Sequence, residues 1–173
     1  MEIKMIGVVG AGQMGSGIAE VGIASGFNVL MRDIDQKVIE RGRTRIANDL
    51  ERRVQKGKMT PEEKEVILRR LSATTQLEDF RNCDFVIEAA IENITLKGEI
   101  FKTLDTITPK DAVLASNTSS ISITRIASNT KRPDRVIGMH FFNPAPVMKL
   151  IEIIRGLATS GETFQTTKEL SLK

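Results

Sequence analysis

The 173-residue sequence has no tryptophan and no tyrosine, one cysteine and one histidine. A lone cysteine, Cys83, excludes an internal disulfide and any cysteine-based metal cluster. With His140 as the single histidine, a structural zinc site has too few ligands. No apolar run approaches the roughly 18–20 residues of a membrane span. Met1-Glu2-Ile3-Lys4 leads straight into a strand-like run, without a signal-peptide layout. The expected setting is therefore reducing cytoplasm, with no membrane partner. Aromatic residues are scarce, seven phenylalanines in all, and the charge excess is small, 25 Lys/Arg against 22 Asp/Glu. A nucleic-acid binder would carry a broader basic stripe and aromatic stacking platforms, so no nucleic-acid partner is expected. The rest is ordinary: 40% hydrophobic and 27% charged residues match a globular domain with a normal core.

The length suits about one domain. Ile3–Val9 is an apolar run of strand length, and Gln13–Ser25 has helical spacing of its apolar residues. Phe27–Met31 reads as a second strand that ends at Arg32-Asp33. A strand, helix and strand within about 30 residues imply a parallel pair with a right-handed crossover. Residues 35–57 and 60–71 are two charged helical patterns separated by Gly57-Lys58-Met59, read as a helical hairpin (35–71) standing off the sheet. Thr60, Pro61 and Glu63 form a helix-start signature there. The hairpin is basic: residues 40–70 hold ten Lys/Arg against six Asp/Glu, which suits a solvated pair or a small anionic ligand. Further strands are expected at Asp84–Ala89, Ala112–Ser116 and Val136–Phe141, with helices at Leu96–Ile107 and Ile121–Ser128. Val147–Ile154 is a last apolar run, and a helix starts near Ser160. The expected architecture is α/β, a Rossmann-like doubly wound and mostly parallel sheet with a protruding helical hairpin.

Gly10-Ala11-Gly12-Gln13-Met14-Gly15 follows the first strand and opens the first helix, and Asp33 lies 23 positions beyond Gly10. That is the context in which a G-x-G-x-x-G turn binds a dinucleotide. Gly10 permits the tight turn, Gly12 leaves room for the pyrophosphate, and Gly15 lets helix and strand pack closely. The helix N-terminus offers free N–H groups to the phosphates. Asp33 can accept the ribose hydroxyls and repels a 2′-phosphate, which favours NAD. Arg32 beside it could pair with such a phosphate, so NADP stays open.

His140 ends a strand, where doubly wound sheets face their ligand crevice. A histidine there can take a hydroxyl proton as hydride leaves the same carbon. Glu152 lies 12 residues on, inside the apolar run Leu150–Ile154. A buried carboxylate needs a partner, and His140 would satisfy it while being oriented by it. Ser116-Asn117-Thr118-Ser119-Ser120 follows another strand. Ser120 or Ser122 is expected to cap the next helix, which frees Asn117 and Ser119 for ligand. Lys97, near Glu92, reads equally well as a solvated helix charge.

These segments, together with Glu88-Ala89-Ala90-Ile91-Glu92-Asn93 and His140-Phe141-Phe142-Asn143-Pro144-Ala145-Pro146-Val147-Met148, resemble the 3-hydroxyacyl-CoA dehydrogenase family over nearly the whole chain. The resemblance implies reversible NAD-linked oxidation of an L-3-hydroxyacyl-CoA. His140 would be the general base, Glu152 its orienting partner, and Ser119 a catalytic and substrate-holding residue, with Asn143 beside the substrate. Gly10, Gly12, Gln13, Met14, Gly15, Asp33, Glu92, Lys97 and Asn117 would hold the cofactor. The 35–71 hairpin would lie near the CoA. The resemblance also implies a second, helical domain that closes the cleft and forms a homodimer. On that reading 1–158 is the NAD-binding domain and 159–173 the start of the helical one, which is otherwise missing. The chain alone would then bind NAD with little turnover. Two other readings remain: a non-catalytic NAD-binding relative, and a dehydrogenase of hydroxy acids or sugar acids with the same first domain.

Overall fold

The structure, a computed structural model, describes residues 2–173. Seven strands form one sheet in the spatial order β3-β2-β1-β4-β5-β6-β7. The strands are β1 (Met5–Val9), β2 (Asn28–Arg32), β3 (Leu71–Thr74), β4 (Phe85–Glu88), β5 (Val113–Ser116), β6 (Val136–Phe141) and β7 (Ile151–Arg155). Six run parallel, and β7 returns antiparallel to β6. The helices are α1 (Gln13–Ala24), α2 (Gln36–Gln55), α3 (Pro61–Leu68), α4 (Ile94–Ile107), α5 (Ile123–Ala127) and α6 (Gly161–Ser171). The chain winds outward from β1 through β2 to β3, then crosses back to β4 and winds the other way. The reversal falls between β1 and β4, and a crevice opens there beyond the carboxyl ends of the strands. None of these helices is long and apolar enough to cross a membrane.

Alternation along the strands divides the core in two. Phe85, Ile87, Val113 and Ala115 join Val8, Ile18, Val29 and Met31 on one face. Val86 and Leu114 join Phe80, Phe101, Leu104 and Ile126 on the other. Both faces of a parallel sheet are covered, so its strands read as continuous apolar runs rather than as alternation. Each fully buried Ile, Leu or Phe contributes roughly 1.5–3 kcal/mol.

Two elements differ from the expectation, and for a third, α6, the sequence is silent on where it packs. The helical pattern over 60–71 stops at Leu68, and Leu71–Thr74 is the edge strand β3, parallel to β2. The four residues carry no periodic signal of their own, and pairing with Val29–Arg32 makes them a strand. Next, α2 does not stand away from the body. Ile39, Ile46 and Leu50 are fully buried, and α2 lies so close to the glycine turn that a side chain at Gly42 would meet the Ala11 carbonyl at 2.8 Å. The outer helix α3 has no buried residue and is tied to α2 by Lys64 and Glu51 at 2.7 Å. Its start is the expected capping box of Thr60 and Glu63. Finally, α6 is seated on the sheet: Thr163 donates to the Asp134 carbonyl, Leu170 is buried, and Phe164 packs against the core.

Candidate active site

The glycine turn folds as its residues demand. Gly10 has φ +105°, a conformation that L side chains rarely adopt, and its N–H donates to the Arg32 carbonyl at 2.7 Å. A Cβ at Gly15 would lie 1.9 Å from the Gly10 carbonyl oxygen, so only glycine lets α1 start this close to β1. Gly12 is different, with nothing within 4 Å of where its Cβ would be. Gly12 is also the N-cap of α1 and supplies no capping side chain. The first N–H groups of α1 thus face an open position at the positive end of the helix dipole, where an anion is stabilised.

Asp33 closes this turn. One carboxylate oxygen accepts from Ala11 N–H at 2.9 Å and the other from Ile34 N–H at 2.8 Å. The carboxylate is therefore fixed beside the turn, on a cleft of about 540 Å³ that Gly10, Gly12, Ile34, Val38, Ala90 and Leu96 also line. Arg32 Nε donates to the Thr75 carbonyl at 3.1 Å, which ties the neighbouring guanidinium to the segment after β3. An apolar slot, an anion position and an acid at its rim fit the adenosine, pyrophosphate and ribose of a dinucleotide.

A second cleft, about 340 Å³, continues past the turn between the ends of β4, β5 and β6. Met14, Glu92, Lys97, Asn117, Ser119, His140 and Asn143 line it. Asn143 accepts a hydrogen bond from Gln13 at 3.0 Å, so the glycine turn and the Asn143-Pro144 segment are linked. Asn117 accepts from the Phe141 N–H at 2.8 Å, which leaves its amide N–H groups for the cleft.

His140 and Glu152 are directly opposed in the β6–β7 register. Nδ1 of His140 lies 2.8 Å from a Glu152 carboxylate oxygen. A carboxylate only accepts, so Nδ1 carries a proton, and in the neutral ring Nε2 is the free acceptor. Phe142 tilts against the ring, centroids 4.7 Å apart. His140 and Ser119 line both the second cleft and a third, about 330 Å³, that reaches Glu152 and Arg155.

The turn after β5 singles out one serine. Ser116 donates to Glu88, Thr118 and Ser120 donate to Glu92, and Ser122 caps α5 by accepting from the Arg125 N–H. The Ser119 hydroxyl has no partner among the described residues and faces the clefts shared with His140. Glu92 is burdened by burial, which raises its pKa, but the Thr118 hydroxyl, the Lys97 charge and the Ser120 hydroxyl outweigh that and hold it below the usual carboxylate range. Lys97 is not a solvated charge. Only 1% of its side chain is exposed, and its ammonium bonds Glu88 at 2.7 Å. Glu88, Ser116, Thr118 and Phe142 were not singled out from the sequence. Glu88 carried a usable signal, an acid closing an apolar strand, which is the same argument that marked Glu152. Cys83 is not part of any site: burial, then the Asp84 carboxylate, push its thiol up to about 12.

The fold and the glycine turn define a Rossmann-like dinucleotide-binding domain. Residues 5–173 match the family described as 3-hydroxyacyl-CoA dehydrogenase, NAD binding domain. A probable 3-hydroxybutyryl-CoA dehydrogenase of Bacillus subtilis is 55% identical over 173 residues, all of this chain and 60% of the relative. The crystal structure of a 3-hydroxybutyryl-CoA dehydrogenase from Escherichia coli K12 superimposes with a TM-score of 0.97 at 44% identity, covering 99% of this chain and 36% of that one. An (S)-3-hydroxybutyryl-CoA dehydrogenase from Ralstonia eutropha gives 0.96 at 47% identity, covering 99% and 60%. The chain belongs to the 3-hydroxyacyl-CoA dehydrogenase family, and what it contains is the NAD-binding domain. It spans about three-fifths of the length of the Bacillus subtilis relative.

Proposed function

We propose that the chain carries the cofactor site and the proton-transfer pair of an L-3-hydroxyacyl-CoA dehydrogenase, with 3-hydroxybutyryl-CoA as the substrate class and NAD favoured over NADP. The observation that carries this reading is the His140–Glu152 pair at 2.8 Å, opening with Ser119 onto the cleft that continues from the glycine turn. The bound nicotinamide supplies the hydride acceptor. Glu152 keeps the Nδ1 proton in place and balances the charge that the ring gains. Nε2 of His140 takes the substrate hydroxyl proton in oxidation and returns it in reduction. Ser119, with its hydroxyl free, steadies the substrate oxygen. The roles of Gln13, Met14, Glu92, Lys97 and Asn117 toward cofactor, and of Asn143 toward substrate, are part of the same reading.

The basic hairpin supports a phosphate-bearing substrate. Arg52, Arg53 and Lys64 are paired with Asp49, Glu20 and Glu51, and Arg45 donates to Ser16, which leaves the exposed Lys37, Arg41 and Arg43 of α2 for CoA. Cleft closure and a homodimer are proposed for a longer form, since the relatives named above extend well beyond the matched region. A reducing, cytoplasmic setting agrees with the single buried thiol. The test is a single-turnover reaction of NADH with acetoacetyl-CoA and with acetoacetate. The chain is expected to reduce the thioester slowly and the free acid far more slowly still, and His140→Gln to lower the rate on the thioester by about 10²–10⁴-fold. Equal rates for the two substrates, or an unaffected His140→Gln variant, overturn the reading.

A further inference from the structure

The second cleft rests on a buried polar strap whose acid, Glu88, has no part in the proposed chemistry. Glu88 ends β4 with its side chain fully buried. One of its oxygens accepts from the Lys97 ammonium and from the Ala90 N–H, each at 2.7 Å. The other accepts from the Ser116 hydroxyl at 2.7 Å. A bare buried carboxylate is costly, and this one is fully satisfied. Lys97, carried on α4, also reaches the Ala90 carbonyl and Glu92, each at 3.3 Å. Its three N–H donors are thereby spoken for. Ser116 in turn accepts from the Thr118 N–H at 3.3 Å.

We propose that Glu88 is a positioning residue for the nicotinamide half of the site: its carboxylate holds the Lys97 ammonium in the cleft floor and fixes the start of the turn that presents Asn117 and Ser119. The inference rests on the cofactor reading above. It assigns to one buried acid the joining of three elements, β4, α4 and the end of β5, whose tips line the second cleft. The glycine turn and Asp33, which make the adenosine half, share none of these bonds. Ala90 is the one strap residue that also lines the adenosine cleft, so loss of the Glu88 charge acts first on the nicotinamide half.

Glu88→Gln keeps the shape and an acceptor oxygen but leaves buried Lys97 only the longer contact to the partly exposed Glu92 as counter-charge. NADH affinity, read by fluorescence titration, is expected to fall about tenfold or more, the scale of a hydrogen bond to a charged group. ADP-ribose, which lacks the nicotinamide, is expected to bind within about twofold of the original chain by calorimetry, because the adenosine half stays intact. The double variant Glu88→Gln/Lys97→Met removes both buried charges, so its thermal stability is expected to return toward that of the original chain while the NADH defect persists. Three results overturn the proposal: unchanged NADH affinity in Glu88→Gln, equal loss of NADH and ADP-ribose, or recovery of NADH affinity together with stability in the double variant. If the original chain binds ADP-ribose but not NADH, the nicotinamide half is misassigned. If it binds neither, the cofactor reading itself fails and the proposal falls with it.

Discussion

His140 and Glu152 meet across the one antiparallel pairing among the described residues, residue opposite residue, with Nδ1 and a carboxylate oxygen 2.8 Å apart. The return of β7 is what makes this contact. A parallel neighbour would place its own carboxyl end beside His140, whereas the antiparallel β7 places its amino end there. The exposures differ, 18% for the His140 side chain and 53% for Glu152, so the carboxylate is half in water while the ring is sheltered. The pair's value therefore lies in fixing the ring and its tautomer rather than in the stability of an ion pair, which is small at such exposure.

Replacing either partner separates these roles. His140→Gln removes the proposed proton acceptor and is expected to lower the single-turnover rate by about 10²–10⁴-fold. Glu152→Gln keeps the side-chain shape but can offer an N–H to the ring and favour the wrong tautomer. Its rate is expected to drop by about 10²-fold or more. NADH affinity in both, measured by fluorescence, is expected to stay within about twofold. A large loss of affinity would place the pair in cofactor binding instead.

Two glycines of one turn are expected to fail in different ways. Gly12→Ala meets nothing in the protein, and its backbone at φ −67° accepts a side chain. The variant should melt with the original chain yet lose NADH affinity about tenfold or more, because the new methyl stands where the pyrophosphate must approach. Gly15→Ala drives its Cβ into the Gly10 carbonyl and is expected to cost about 1–3 kcal/mol of stability or more in urea titration. Similar melting behaviour in both variants would contradict the assignment.

Glu20 gives a pH signature remote from the clefts. Its side chain is buried between α1 and α2, with Arg53 at 2.9 Å. Burial raises its pKa from 4.5 to about 7 against the opposing pull of Arg53. Below about pH 4.5 both folded and unfolded chains hold this proton. Between 4.5 and 7 the unfolded chain releases it first, so stability falls as pH rises through that window. The loss amounts to about 3 kcal/mol. Urea titrations of the original chain and Glu20→Gln at both ends of the window should show it only in the former. Parallel pH dependence in the two would contradict a raised carboxyl.

The legible parts of the fold were those with local chemical signals. The bounds Val136–Phe141 for β6 follow from an apolar run interrupted only by His140 near its end, and the start of α3 from Thr60, Pro61 and Glu63. The glycine turn, Asp33 and the histidine–acid spacing carried the site. What was not legible depends on neighbours distant in sequence. β3 is a strand because β2 lies beside it, and Leu71-Ser72-Ala73-Thr74 has no pattern that says so. The seating of α2 and α6 follows from the shape of the body they cover. Lys97 looks like any helix-surface lysine until β4 brings Glu88 beneath it.

The most direct measurement of the central claim is a paired fluorescence titration of this chain with NADH and NADPH. The absence of tryptophan and tyrosine leaves a low protein background. Saturable NADH binding, tighter than NADPH by about tenfold or more, is the expected result, because the proposed reading has Asp33 receive the ribose hydroxyls and repel a 2′-phosphate. A chain folded by circular dichroism that binds neither nucleotide, or prefers NADPH, would contradict the account.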